Sequence, residues 1–191
     1  NLNYDDAIYK FSRIIKIYPS HKNIDYVYYM RAVSYFEQIS GENFDGESNK
    51  EAKKNFQKLI NRFPESEYTK DSRQKLIFIN ENIAAKDMEV AIFYLEQKQY
   101  LAALGRYNKV IEEYPKSKFI PEALYRLVEI YTILGMKEEA EKAASVIVYN
   151  YPQSKWYEDS YNLINEEYFK KNKTTLGKKI LNLFKKDEPK E

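Results

Sequence analysis

Cysteine is absent from all 191 residues, which excludes disulfides, thiolate nucleophiles and zinc sites built on sulfur. Histidine is nearly absent too: His21 is the single one, placed just after a proline. The five glycines, Gly41, Gly46, Gly105, Gly135 and Gly177, are scattered and form no phosphate-cradling loop. No apolar run reaches the roughly 18 residues of a membrane span. A large excess of one charge is also missing, since 31 basic against 29 acidic side chains leave +2, too little for a uniformly basic nucleic-acid binder. Carboxylates are plentiful, as in Glu112 with Glu113 or Glu138 with Glu139, but neighbouring acids on a helix surface read as a solvated face. An enzyme is therefore not expected, nor any cofactor or metal.

What the chain does contain is 43% hydrophobic and 31% charged residues, in proportions that suit one soluble globular or repeat-type unit. The charge is unevenly distributed. From Lys170 onward eight lysines face Asp187, Glu188 and Glu191, a basic tail on a mildly acidic body.

The body repeats. Ala7, Ala52, Ala103 and Ala140 each stand twelve residues before a proline, Pro19, Pro64, Pro115 and Pro152. In each interval apolar residues fall at offsets 0, 4, 7, 8 and 11. The first copy reads Ala7, Phe11, Ile14, Ile15 and Tyr18, the second Ala52, Phe56, Leu59, Ile60 and Phe63. The third and fourth are Ala103, Tyr107, Val110, Ile111, Tyr114 and Ala140, Ala144, Ile147, Val148, Tyr151. Such offsets trace one stripe of an α-helix, and the proline then ends it. A serine two residues on (Ser66, Ser117, Ser154) is suited to cap the next helix, with an aromatic (Tyr68, Phe119, Trp156) stapling the corner; the first copy departs, with Ser20 and His21. His21 reads as a turn residue bonded to nearby backbone. The intervening segments are helical too, one of them from about Thr69 to Gln97, on the order of 40 Å long. The stretch "SGENFDGESN" reads as a polar loop.

These features resemble the tetratricopeptide repeat, two antiparallel helices with alanine, aromatic and proline at set places in the second. The expected fold is all-α, a tetratricopeptide-repeat (TPR) solenoid over residues 1–171 closed by the C-terminal helix "YEDSYNLINEEYF", followed by a basic, flexible tail at 172–191. The helix from Tyr4 to Tyr18 has no preceding partner for its stripe, so Asn1 is expected to be a boundary inside a longer chain with further repeats before it. Stacked pairs line a concave face with their first helices. Registering Ala32 and Ala91 at the small-residue position turns Tyr26, Tyr29, Val33 and Phe36, then Met88 and Ile92, toward that groove, either for a partner segment or for further helices that cover them. In the tail, Leu176, Ile180, Leu183 and Phe184 with interspersed lysines fit either a short amphipathic turn or an unstructured segment.

One stretch goes further. "YPSHKNIDYVYYMRAVSYF" resembles the signature segment of the BamD family, lipoproteins of the outer-membrane β-barrel assembly (BAM) machinery, through its Pro-x-His turn, Asn23 to Val27, and Tyr29 to Arg31. The blocks "FPESEYTKDSRQKLIFINENIA", "EVAIFYLEQKQYLAALGRYNKVIEEYPKS" and "EAEKAASVI" follow in the family's order. The resemblance implies a five-repeat protein at the periplasmic face of the outer membrane, held by a lipidated N-terminal cysteine upstream of Asn1. It implies N-terminal repeats that receive unfolded outer-membrane protein segments, and C-terminal repeats that dock on a POTRA domain of BamA beside other BAM lipoproteins. Arg106 is the leading residue for the BamA contact, followed by Tyr107, Glu122 and Arg126. Two alternatives remain. Another periplasmic TPR adaptor, coordinating cell-wall synthesis with envelope constriction, would share the later blocks but not the His-turn segment, and a nucleic-acid binder using the tail would show steep salt dependence.

Overall fold

Wherever the alanine-to-proline stripe occurs, the computed structural model has a helix. It describes residues 3–39 and 46–171, so the basic tail and residues 40–45 of the polar loop lie outside it. Among the described residues there are eight α-helices and no strand: α1 (Tyr4–Ile17), α2 (Ile24–Phe36), α3 (Gly46–Arg62), α4 (Thr69–Glu96), α5 (Tyr100–Glu113), α6 (Ile120–Ile133), α7 (Lys137–Asn150) and α8 (Lys155–Lys171), with a short 3-10 turn at Glu37–Ile39. The stripes occupy α1, α3, α5 and α7, and the first-type helices α2, α4 and α6 alternate with them, which makes this an all-α TPR-type fold. Because α3 begins at Gly46, the last four residues of the expected loop are helical instead; Glu47 in the first turn complements the positive end of the helix dipole.

The four corners share one geometry. Each stripe helix stops when the residue before proline leaves the helical region, as at Tyr18 (φ −124°, ψ 56°), Tyr114 (−129°, 55°) and Tyr151 (−134°, 48°). Two residues past the proline, the backbone N–H of His21, Ser66, Ser117 and Ser154 donates back across the turn at 2.9–3.2 Å. The carbonyls of the same four residues accept from Ile24, Thr69, Ile120 and Tyr157. Their side chains accept as well, His21 Nδ1 from the N–H of Asn23 at 3.2 Å and the serine Oγ atoms from Tyr68, Phe119 and Trp156 at 3.4, 3.2 and 3.3 Å. The first copy therefore departs in residue type but not in structure, for an imidazole nitrogen does the work of a hydroxyl. The expected serine caps also need correction: Ser66 and Ser117 stand ahead of their helices and hold the turn, and Ser154 alone directly precedes one.

Two further turns form a second matched pair. Between α6 and α7, Gly135 at φ 73° lets the N–H of Met136 reach the carbonyl of Tyr131, while between α4 and α5 Lys98 takes the same left-handed conformation at φ 57° and the N–H of Gln99 reaches Tyr94. Both are helix C-terminal turns of the kind glycine favours.

The chain divides into two compact units, residues 1–86 and 87–191, with the division inside α4. In the first, α2 packs on α1 and α3. Phe56 and Ile79 are fully buried there among Ala32, Ala52 and Ile60, and a second cluster joins Ile24, Tyr28 and Leu59. Burying a side chain the size of Phe56 contributes roughly 1.5–3 kcal/mol. In the second unit α6 packs on α5, α7 and α8 around Tyr107, Val110, Val128, Ile130 and Ile147, all fully buried. Ser160 and Ile164 of α8 are buried as well, so the last helix closes this core.

Candidate partner-binding surfaces

In the first unit the spacing of Tyr26, Tyr29, Val33 and Phe36 places them along one side of α2, and α4 completes the surface. Tyr68, one residue before α4, stacks on Tyr29 at 4.9 Å between centroids and lies 5.4 Å from Tyr26. The Tyr29 hydroxyl donates to Asp71 Oδ2 at 2.8 Å. Burial, then that bond to an anion, pushes the Tyr29 pKa up to about 12. Asp71 also pairs with Lys75 at 3.6 Å, and the Lys75 ammonium lies 4.9 Å from the Phe36 centroid. Phe36 meets Phe78 edge-on at 5.7 Å, and Tyr29, Val33 and Phe36 all pack back against the core as well. The result is an aromatic surface held by a polar strut, with Tyr26 at 44% and Phe78 at 52% still exposed. The repeat register marked Tyr68 as the aromatic of its corner, but Asp71, Lys75 and Phe78 were invisible to it because they belong to the following helix.

In the second unit Met88 requires correction. It is 3% exposed and forms part of a buried side of α4 with Ala84, Asp87 and Ala91, so it packs inward instead of lining a groove; Ile92 is half-buried. The residue that matters on that side is Asp87, an acid on an otherwise apolar stripe. Its side chain is 8% exposed and receives Arg106 Nη1 at 3.0 Å on one oxygen and Lys109 Nζ at 2.7 Å on the other. Both cations come from α5, three residues apart and so on one face. Arg106 and Lys109 remain 41% and 37% exposed, so one buried carboxylate pins two cations that still reach solvent. The apolar-acid-apolar spacing at 84, 87, 88 and 91 is the sequence signal that marks Asp87.

Tyr107 also needs correction as a contact residue. It is fully buried in the α5 core, because offset 4 of the stripe faces inward, and burial pushes its pKa up to about 12 while Arg126 pulls the other way. Glu122 and Arg126 do come together on α6: Arg126 pairs with Glu129 at 2.9 Å and Glu122 at 3.8 Å. Its guanidinium stands 5.5 Å from the centroids of both Tyr125 and Trp156, which stack on each other at 4.9 Å. Burial opposes the Arg126 charge, but Glu129 more than offsets this and the pKa is raised.

Corners that repeat, stripes that pair and charged residues used as struts define a helical-repeat protein of the tetratricopeptide type. Among the described residues no helix is long and apolar enough to cross a membrane.

The chain belongs to the outer membrane lipoprotein family YfiO, whose model matches residues 1–147. It is similar to the outer membrane protein assembly factor BamD of Caulobacter vibrioides, 39% identical over 163 residues that cover 85% of this chain and 53% of that protein. The BamD of Rickettsia prowazekii is 40% identical over 161 residues, 84% of this chain and 64% of the relative. That of Xylella fastidiosa is 32% identical over 163 residues, 80% and 56% respectively. The match thus spans about half to two thirds of these relatives.

Proposed function

We propose that this chain is the scaffold part of an outer-membrane protein assembly factor, acting without catalysis at the periplasmic face of the outer membrane. The observation that carries the reading is the family match together with relatives that are all named assembly factor BamD. The partner is a POTRA domain of BamA, and Arg106 is the contact residue on this side, presented with Lys109 by the buried Asp87. Glu122 and Arg126 contribute a second charged contact on α6. Other BAM lipoproteins share the assembly. Unfolded outer-membrane protein segments meet the aromatic surface of Tyr26, Tyr29 and Phe36, where exposed Tyr26 and the partly buried rings beside it give apolar contact and the Tyr29–Asp71 pair gives polar register. The anchor is a lipid on the full-length protein.

Arg106→Glu tests the reading. The reversal sets two carboxylates against each other at Asp87 and removes the exposed cation, so co-purification of BamA is expected to fall at least tenfold while the helical circular dichroism persists. Undiminished BamA capture by a folded Arg106→Glu protein would remove Arg106 from the interface.

A further inference from the structure

We propose that Arg31, Lys58 and Arg62 form a binding site for a phosphate group, either free or carried on a lipid headgroup. The three cations lie near one ring. Arg31 Cζ, Lys58 Nζ and Arg62 Cζ lie 5.4, 5.8 and 5.4 Å from the centroid of Tyr28, a residue only 2% exposed. Arg62 Nη1 donates to the Tyr28 hydroxyl at 3.2 Å, and Arg31 Nη1 to Ser12 Oγ at 3.4 Å. The site is thus built from three helices: Ser12 on α1, Tyr28 and Arg31 on α2, and Lys58 and Arg62 one turn apart on α3.

Among the described residues none of the three has a carboxylate within 4.0 Å, in contrast to Arg106, Lys109 and Arg126, each of which does. The ring attracts a cation through its quadrupole but carries no net charge, so it gathers the three without neutralising them. Arg31 adds a buried Nε–H that has no acceptor. A burial-restricted donor, two forked guanidiniums and an ammonium, each within 6 Å of one ring centroid and none held by a carboxylate among the described residues, call for an anion with several oxygens. A tetrahedral phosphate has oxygens to accept from several such donors, and guanidinium matches it in bidentate fashion. One carboxylate offers two oxygens in a plane and leaves donors over. Lys58 and Arg62 are exposed, so the anion has access from solvent. The reading of function above uses none of these residues and stands or falls separately.

The test is titration of the full 191-residue chain with inorganic phosphate followed by amide NMR shifts, beside co-sedimentation with phosphatidylglycerol and with phosphatidylcholine vesicles. The variant is Lys58→Gln/Arg62→Gln. Lys50→Gln/Lys54→Gln, which removes the same charge from the same helix, is the control, and both keep the tail. Phosphate is expected to bind wild type and control alike, with shifts around Tyr28, and the variant at least tenfold more weakly. If the variant also loses binding to phosphatidylglycerol vesicles, the phosphate is a headgroup; if vesicle binding is equal in all three proteins, it is free phosphate. Should the double variant unfold, Arg31→Lys keeps the charge but loses the fork, and several-fold weaker phosphate binding is expected from it. Equal phosphate affinity in variant and wild type, no phosphate response in wild type, or capture of a Glu-rich peptide in its place would each overturn the assignment.

Discussion

Helices α1 and α5 carry the same stripe, yet they differ in what it buries. In α5 the positions Ala103, Tyr107 and Val110 are fully buried, whereas α1 contributes no buried residue, and Ile14 and Tyr18 are 37% and 60% exposed. A stripe supplies an apolar face, and only the neighbours on both of its sides turn that face into core. Charge shows the same contrast. Around Tyr28 in the first unit three cations gather near a ring with no carboxylate within 4.0 Å of them among the described residues, while in the second unit Arg106 and Lys109 gather on buried Asp87. Removing cations therefore has opposite meanings in the two places.

The largest expected effect comes from two phenylalanines at one register position. Phe56→Ala empties a fully buried site and is expected to cost about 3–5 kcal/mol of stability by urea unfolding of the first unit, whereas Phe11→Ala on α1 is expected to cost roughly 1. Equal losses would mean that α1 is as well packed as α3. Next in size is Arg106→Ala/Lys109→Ala, which strands a buried carboxylate and, discounted for the exposure of both cations, is expected to cost about 2–3 kcal/mol. The matching Lys58→Ala/Arg62→Ala strands no charge and is expected to change stability by less than about 1 kcal/mol. A drop as large as that at Asp87 would break the contrast.

Smaller again is a pH effect in the first unit. Tyr29 has its folded pKa raised from 10.0 to about 12 by burial and by its bond to Asp71. The stability it contributes is full below pH 10 and is lost as pH rises through about 12, because the unfolded phenol ionises first. Between those limits wild type should lose more stability than Tyr29→Phe, as read by unfolding at each pH. Parallel curves would mean that the bond to Asp71 does not hold the phenol neutral. Smallest is the corner substitution. His21→Ser restores the residue found at the other three corners and should leave stability within about 0.5 kcal/mol, while His21→Ala, which removes the acceptor for Asn23, should cost about 1. A large loss from His21→Ser would assign the imidazole a second duty.

Helix number and order were legible because alanine and proline twelve residues apart bracket a periodic stripe, and proline ends a helix wherever it stands in that role. The extent of α4 was legible too, for no breaker interrupts residues 69–96. The equivalence of His21 to the serines was not, because a ring nitrogen and a hydroxyl share no sequence signature, only an acceptor at the same place. Tyr107 was misplaced because the family resemblance set it among contact residues although its stripe offset already pointed to the core, whereas Met88 was misplaced by the register itself. A repeat register says which residues share a helix face, but which face turns inward depends on helices far away in the chain. Asp87 was missed because its partners lie 19 and 22 residues on, and their approach is a consequence of packing.

By itself the sequence determined what is local: where helices start and stop, the turn after each proline, and the periodic face each helix offers, since backbone sterics and hydrogen bonding act over a few residues. Tertiary structure alone decided which of those faces became core and which cations found an acid, because burial and charge pairing depend on what another helix brings within a few ångströms.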